Sequence, residues 1–284
     1  MKRIALLAAF VTLTIVPQAS AGPWIKSLAD AEKKAKSGDQ LIFVDLFADW
    51  CGWCHRMEQE VFPSQAFQSA TDKMVLLRLN TEDGADGTNL ARQFNASSLP
   101  TFLILNGAGQ LAGIIHGYQP PSIFVDLLKE QQKKYADFQA ELKTESTVTD
   151  PKKRLALAKE LRERYALAES EQRFSKLANE RGLPTDVRDE AFYELAMTQL
   201  MEKHLDDTMK TIKKFGSLQK TGEPFERSRL LMTDVYVQQG NWSAAADNLR
   251  TFKKTYPQSK FVSNVDYVLP QIEQQIKMAG GGKK

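Results

Sequence analysis

Apolar residues in the first half of the chain fall into short runs separated by longer mixed segments. The run at residues 41–47 has the aromatic and branched side chains that are typical of a buried strand. A second run at 74–79 follows a helix-length segment, and two strands connected in this way form a parallel β-α-β unit. The runs at 101–105 and 111–116 flank a glycine-containing turn and predict a hairpin. The first half is therefore predicted to be a mixed sheet covered by helices.

Helical segments lie between these strands. Gly38 is expected to end the first helix, and Pro63 is expected to interrupt the second. The predicted helices cover residues 27–37, 51–71, 88–94 and 120–140.

The second half is predicted to be almost entirely helical, with seven helices and short loops. The segment Gly240-Asn241-Trp242, with Pro257 further on, resembles the second half of a tetratricopeptide repeat. Aligning His204 under Gly240 gives a period near 36 residues, although the earlier copy lacks the glycine and the proline. The alternative is a plain helical bundle. We favour a short repeat-like array that holds a partner, a substrate or a second copy of the chain. The predicted helices cover 151–165, 170–182, 185–204, 206–218, 223–239, 242–256 and 259–278.

Charge also divides the chain. Residues 22–140 carry 11 Lys and Arg against 14 Asp and Glu, whereas residues 150–284 carry 24 against 19. Because the charges of the second half alternate in sign, they indicate a solvated helical surface, and we expect no nucleic-acid binding. The predicted organisation is a signal peptide at 1–21, an α/β domain at 22–142, a linker at 143–150, a helical domain at 151–279 and a disordered tail at 280–284.

The first 21 residues have the pattern of a secretory signal peptide. Lys2 and Arg3 precede an apolar core at 4–16, and Ala19-Ser20-Ala21 forms a small-residue cleavage site. The apolar core is shorter than an ordinary membrane span, although an uncleaved anchor is the alternative. We therefore expect cleavage near Ala21 and a periplasmic or secreted mature protein.

The chain has two cysteines, Cys51 and Cys54, directly after the predicted strand 41–47. Cys51 is expected at the start of a helix, where unsatisfied N–H groups and the helix dipole favour a thiolate and lower its pKa. Cys54 lies one turn further on, is expected to be more enclosed, and is close enough to resolve a mixed disulfide. A single pair in an oxidising compartment is better explained as working chemistry than as a structural crosslink.

Two other interpretations of this segment stay open at this point. Cys51 to His55 also match C-x-x-C-H, the attachment motif of c-type haem. A zinc site is less favoured, because a second cysteine pair is missing and His55, His116 and His204 are the only histidines.

Residues around the cysteines resemble the thioredoxin superfamily. Residues 44–54 are similar to its active-site strand and turn, and Leu99-Pro100-Thr101 resembles its cis-proline loop. Arg78 and Gly117 fall where members often have a Lys and a Gly. The closest subgroup is the secreted thiol-reductase type, such as the C-terminal domain of DsbD-like proteins. Two features depart from thioredoxin itself: the dipeptide between the cysteines is Gly-Trp, and the loop at 80–89 is a few residues longer.

The resemblance implies a thioredoxin-like α/β domain followed by the helical, tetratricopeptide-like domain, and it assigns roles to residues. Asp45 is implied as the proton acceptor or donor for Cys54, the alternative being a carboxylate at a strand edge paired with a Lys. The Leu99–Pro100 bond is implied to be cis, beside Cys51. Trp53 is the better candidate for an exposed contact, whereas Trp50 is expected to pack on the domain. The implied substrate-binding residues are Trp50, Gly52, Trp53, Leu99, Pro100 and Thr101.

The predicted function is extracytoplasmic thiol-disulfide oxidoreduction of protein thiols and disulfides without a cofactor. The absence of a His between Cys51 and Cys54 favours a reductase supplied with electrons by a membrane donor, although an oxidase or isomerase would use the same residues. One alternative is an interaction protein whose helical domain binds a partner, with the α/β domain as an accessory. The haem protein is a remote third.

Overall fold

The computed structural model describes residues 23–281. The chain divides into two compact units, with the boundary between Ala136 and Asp137. The predicted signal peptide and the last three residues of the predicted tail lie outside the described residues. The predicted domain limits stay predictions. The structure places Lys143 and Thr144 of the predicted linker in a helix and residues 145–147 in a 3₁₀ turn.

A four-stranded mixed sheet forms the centre of the first unit. Its spatial order is β2-β1-β3-β4, with β1 and β2 parallel and the other two pairings antiparallel. The predicted parallel pair and the predicted hairpin are both confirmed. The strands are β1 (Ile42–Phe47), β2 (Val75–Asn80), β3 (Thr101–Leu105) and β4 (Leu111–His116).

The helices of this unit differ from the prediction mainly after the cysteines. The predicted helix at 51–71 is two helices joined by the π-helical turn Met57–Val61, with the break at Pro63 as expected. Ser64 begins the second of them, because its Oγ accepts a hydrogen bond from the Phe67 N–H at 3.2 Å. The helices are α1 (Leu28–Gly38), α2 (Gly52–Arg56), α3 (Gln65–Thr71), α4 (Asp86–Gln93) and α5 (Pro121–Thr144), which crosses the boundary between the units.

Aromatic side chains fill the core on one face of the sheet. Phe43 of β1 lies at the centre of this cluster. Its ring centroid is 5.3 Å from that of Phe67, 5.6 Å from Phe102 and 6.0 Å from Phe124, which belong to α3, β3 and α5. Because protein interiors are densely packed, these contacts fix β1 against its neighbours. The residues that follow β1 are thereby held at one edge of a rigid sheet.

The second unit is helical throughout its regular structure, as predicted. Consecutive helices pack against each other, and α8 also contacts α6 and α10. Lys203 and Gly240, which precede α9 and α11, both have left-handed backbone angles, with φ of 61° and 69°. The tetratricopeptide character stays a prediction. The helices are α6 (Pro151–Glu163), α7 (Leu167–Asn179), α8 (Thr185–Met201), α9 (Leu205–Leu218), α10 (Glu223–Gln238), α11 (Trp242–Thr255) and α12 (Val262–Gly281), which extends into the predicted tail.

Among the helices of residues 23–281, none is both long enough and apolar enough to cross a bilayer.

Replacing Phe43 by Ala is expected to destabilise the first unit by about 3–5 kcal/mol, because the substitution leaves a cavity among fully buried rings. The matched control is Ile123→Ala on α5, whose side chain is half exposed and should cost less than about 1 kcal/mol. Urea unfolding followed by tryptophan fluorescence measures both values. Equal unfolding midpoints for the two variants would show that Phe43 does not anchor the core.

Candidate active site

The two cysteines lie where β1 gives way to α2. After β1 the chain turns through Ala48, whose carbonyl accepts a hydrogen bond from the Cys51 N–H at 3.0 Å. Cys51 is the N-cap residue of α2, and its Sγ lies 3.1 Å from the Cys54 backbone nitrogen, which donates to it. The predicted position at a helix start is therefore confirmed.

Cys51 and Cys54 are joined in a disulfide. Their side chains are 3% and 1% exposed. Cys54 is the more enclosed residue, as expected. The difference in exposed fraction is small, because both cysteines are buried in the disulfide-bonded form. In this oxidised form the difference between the two cysteines lies in the helix start and the backbone N–H directed at the Cys51 sulfur.

The loop before β3 packs beside the disulfide. Leu99 contacts the small buried cluster of Ala48, Cys51 and Cys54. The Leu99–Pro100 peptide bond is cis, as predicted, and the Pro100 carbonyl accepts a hydrogen bond from the Gly117 N–H at 2.8 Å. The structure therefore brings this loop and the cysteines together.

Thr101, the next residue of that loop, is buried, and its hydroxyl is already used within the loop. It donates to the Ser98 carbonyl at 2.7 Å and lies 3.2 Å from Nδ1 of His116 on β4. Because the hydroxyl proton goes to Ser98, its oxygen acts as the acceptor towards His116. Thr101 is fully buried and pairs with Leu46 and His116 on the neighbouring strands, so it has no surface for the predicted contact with a substrate.

Asp45 is a buried carboxylate in the centre of the sheet. It lies on β1, which has a neighbour on each side, so the alternative of a strand edge is wrong. Its Oδ2 is 3.1 Å from Nε of Arg78 on β2, and its Oδ1 has no hydrogen-bond partner among the described residues. Burial raises the pKa of Asp45 to about 7, although the charge of Arg78 lowers it and the charge of Glu58 raises it. Asp45 can therefore gain or lose a proton near neutral pH.

Glu58 completes this charged group and was missed by the sequence analysis. Its carboxylate pairs with Nη2 of Arg78, and its Oε1 lies 3.5 Å from Nδ1 of His55. Arg78 also lies over the Phe47 ring, with its guanidinium carbon 4.0 Å from the ring centroid. Arg78 is therefore shared between two carboxylates and neutralises Asp45 incompletely. The available sequence clue was spacing, because Glu58 lies three residues after His55 on a helical segment.

Trp50 and Trp53 are both exposed, at 70% and 54%. The expectation that Trp50 packs on the domain is wrong. Its indole N–H instead donates to Oε1 of Glu82 at 2.9 Å, which holds the ring at the surface against the loop after β2. Trp53 is exposed as predicted and stacks on Tyr118, with ring centroids 5.4 Å apart. Two exposed aromatic side chains therefore lie next to Cys51 and Cys54 in the chain, one directly before Cys51 and one directly before Cys54.

Arg56 and Glu60 hold the second of these aromatic groups in place. The Arg56 guanidinium carbon is 4.8 Å from the Tyr118 ring centroid, and Arg56 Nε donates to Glu60 Oε1 at 2.8 Å. The Tyr118 hydroxyl donates to the other oxygen of Glu60. Tyr118 was not predicted from the sequence. It directly follows Gly117, which falls where members of the thioredoxin superfamily often have a glycine.

A family model for a thioredoxin-like domain matches residues 28–132. Thioredoxin from Alicyclobacillus acidocaldarius is 35% identical over 95 residues, which cover 33% of this chain and 85% of that protein. The thiol:disulfide interchange protein TxlA of Synechococcus elongatus is 28% identical over 172 residues, which cover 54% of this chain and 88% of that protein.

Thiol:disulfide interchange proteins named DsbD are also similar. The protein from Actinobacillus pleuropneumoniae is 34% identical over 88 residues, which cover 30% of this chain. The matched part spans only 15% of that protein, and 18% of the corresponding protein from Pasteurella multocida.

Asp45→Asn is expected to stabilise the oxidised protein above neutral pH. Folded Asp45 has a pKa of about 7, against about 3.9 in an unfolded chain. The folded state binds a proton that the unfolded state releases, so stability falls as the pH rises from about 4 to about 7. The variant removes this loss and should gain up to about 4 kcal/mol over the wild type at pH 8, and much less at pH 5.

Urea unfolding at both pH values measures this gain. Asp72→Asn, at an exposed carboxylate, is the matched control and should follow the wild type. If Asp45→Asn shows the same pH dependence as the wild type, Asp45 does not titrate as described.

Proposed function

The chain belongs to the thioredoxin-like family, and from this premise we propose that it is an extracytoplasmic thiol-disulfide oxidoreductase that reduces protein disulfides through Cys51 and Cys54. The observation that carries the proposal is the cysteine pair at the start of α2, in the same unit as a buried carboxylate whose pKa is about 7. Thiolate, resolving thiol and proton acceptor are the three groups that a dithiol reductant needs.

The first step is attack by Cys51 on a substrate disulfide. In the reduced enzyme, the helix start and the Cys54 N–H favour the thiolate of Cys51 over its thiol. The thiolate forms a bond to one substrate sulfur, and the substrate disulfide breaks. The second substrate sulfur leaves as a thiolate, and a mixed disulfide between enzyme and substrate remains.

The second step releases the substrate. Cys54 loses its proton to the Asp45 carboxylate and attacks the Cys51 sulfur, which breaks the mixed disulfide and frees the remaining substrate thiolate. The products are a reduced substrate and the Cys51–Cys54 disulfide, the form that the structure describes. A carboxylate with a pKa of about 7 suits this task, because it can accept a proton and return it near neutral pH.

The surfaces beside the disulfide are suited to an extended protein segment. Trp50 and the stacked pair of Trp53 and Tyr118 supply exposed aromatic surface, while Leu99 beside the cysteines is the residue whose backbone would pair with the segment. We assign Trp50, Gly52, Trp53 and Leu99 to substrate contact, whereas the buried Pro100 and Thr101 fix the loop that presents Leu99. Aromatic side chains bury large areas at little entropic cost, which fits recognition of varied protein thiols.

The direction of electron flow is part of the proposal. The Gly52-Trp53 dipeptide between the cysteines contains no histidine, so we favour a reductant. The oxidised pair must then receive two electrons from another dithiol, and a membrane reductase is the proposed source. Family membership favours this thiol chemistry over attachment of a c-type haem at C-x-x-C-H.

An interaction protein is the alternative function. The observation that favours it is the separate helical unit, which contains no cysteine and makes up about half of the described chain. If this alternative is right, cells that carry the full-length Cys51→Ser variant should show the wild-type phenotype. If the thiols carry the function, those cells should show the phenotype of cells that lack the protein.

Cys51→Ser is expected to reduce a model protein disulfide no faster than the uncatalysed background, because the nucleophile is lost. Cys54→Ser should instead accumulate a mixed disulfide with the substrate, which mass spectrometry detects. Circular dichroism of both variants checks that the fold is kept. Reduction at the wild-type rate by Cys51→Ser would contradict the proposal.

Secretion is expected to remove the first 21 residues. Expressed in a Gram-negative host from its own start, the protein should appear in the periplasmic fraction with a mass that begins at Gly22. Replacing Lys2 and Arg3 by Glu should retain it in the cytoplasm, because the charged start is then lost. Finding the uncleaved wild-type chain in the cytoplasm would contradict the proposed location.

A further inference from the structure

The helical unit contains a cavity of about 660 Å³ that the thiol chemistry does not use. Its walls come from α9, α10 and α11, together with the turn between α9 and α10. The volume lies within the range of ordinary ligand pockets. The wall on α9 carries no side chain at Gly216, where an added Cβ would lie 3.3 Å from the Phe225 ring. The missing side chain at Gly216 therefore lets α9 lie close to the Phe225 ring of α10.

Three cations line this cavity, namely Lys213, Lys220 and Arg229, and no carboxylate does so among the described residues. None of the three forms an ion pair with any residue of the described range 23–281. Glu226 does not line the cavity, but it acts electrostatically on Tyr256 and accepts a hydrogen bond from Ser259 at 2.6 Å. The lining therefore carries an excess of positive charge that Glu226 offsets only in part.

Several cations elsewhere in the same unit form ion pairs. Arg154 pairs with Glu180 at 2.6 Å, Arg250 with Glu273 at 2.6 Å, and Lys253 with Asp266 at 2.6 Å. Interspersed charges of both signs are thus satisfied over much of the helical surface. Lys213, Lys220 and Arg229 instead share one cavity lining that contains no carboxylate, and this excess of positive charge indicates a site for an anionic group.

The cavity also offers apolar surface and a free acceptor. Phe225 is buried and packs edge-on against Phe215, with centroids 5.4 Å apart, while Phe252 lies 5.1 Å from Tyr256. The side-chain nitrogen of Asn248 donates to the Arg229 carbonyl and to Thr233, each at 2.9 Å. Its carbonyl oxygen is left as an acceptor that a peptide N–H can use.

We propose that this cavity binds an acidic segment of a partner protein, with carboxylates on Lys213, Lys220 and Arg229 and an aromatic or aliphatic side chain against Phe225 and Phe252. Three dispersed cations around an apolar floor match alternating acidic and apolar side chains better than a single small anion. The site lies outside the redox chemistry, so either proposal can fail without the other.

The test is fluorescence anisotropy with the full-length protein. The probe is fluorescein-labelled Glu-Phe-Asp-Glu-Leu-Asp-amide at low ionic strength, and its counterpart has Lys in place of every acidic residue. The double variant Lys213→Gln with Arg229→Gln removes two cavity charges. The matched control, Lys254→Gln with Lys277→Gln, removes two exposed charges that do not line the cavity.

The acidic probe is expected to bind the wild type, and the cavity variant should bind it at least about tenfold more weakly, because charge-assisted hydrogen bonds are lost. The control variant should stay within about twofold of the wild type, since the exposed Lys254 and Lys277 do not line the cavity and solvent and salt screen their charges. The basic probe should not bind.

Three results would overturn the proposal. The first is no binding of the acidic probe to the wild type. The second is equal affinity of the cavity variant and its control. The third concerns the small amphiphile anilinonaphthalene sulfonate. If the wild type binds this anion, the cavity variant does not, and neither protein binds the acidic peptide, the cavity is a site for small anions instead.

Discussion

The burial of one carboxylate in the central strand is the constraint on which the active site depends. Asp45 lies between β2 and β3 in a sheet whose neighbouring side chains are almost all apolar, and burial disfavours its charged form. A carboxylate placed there costs stability once it ionises, so local packing does not explain its presence. In the proposed mechanism Asp45 accepts the proton of Cys54, a role that suits a carboxylate with a pKa of about 7 in the unit that carries the disulfide.

Arg78 offsets only part of the effect of burial on the pKa of Asp45, because Glu58 shares the same guanidinium. Arg78 approaches Asp45 from the adjacent strand, yet it also pairs with Glu58 on the π-helical turn and stacks on Phe47. A guanidinium held by a second carboxylate neutralises the first one less completely, so three elements of the fold together determine the proton affinity of Asp45. The aromatic core around Phe43 fixes those elements, which connects the packing of the sheet to the chemistry at its edge.

Local patterns in the sequence were enough to predict most of the fold and the cysteine pair at the centre of the site. Apolar runs predicted the four strands, and the cysteine spacing predicted a redox pair, because each of these features lies within a short segment. The cis bond at Pro100 and the role proposed for Asp45 came instead from the resemblance to the thioredoxin superfamily. Long-range contacts could not be predicted in the same way. Trp50 is exposed because Glu82 is within reach, and Tyr118 joins Trp53 through Arg56 and Glu60 from distant parts of the chain. The cavity cations are likewise dispersed over α9, α10 and their connecting turn, where sequence showed only mixed charge.

The reduction potential of the Cys51–Cys54 pair is the measurement that tests the central claim most directly. Equilibration of the purified protein with glutathione or dithiothreitol buffers of known potential provides it. A reductant of protein disulfides requires a value near that of thioredoxin, about −270 mV, and this is the value that we expect. A value near −120 mV, as in strong oxidants, would reverse the electron flow and contradict the account.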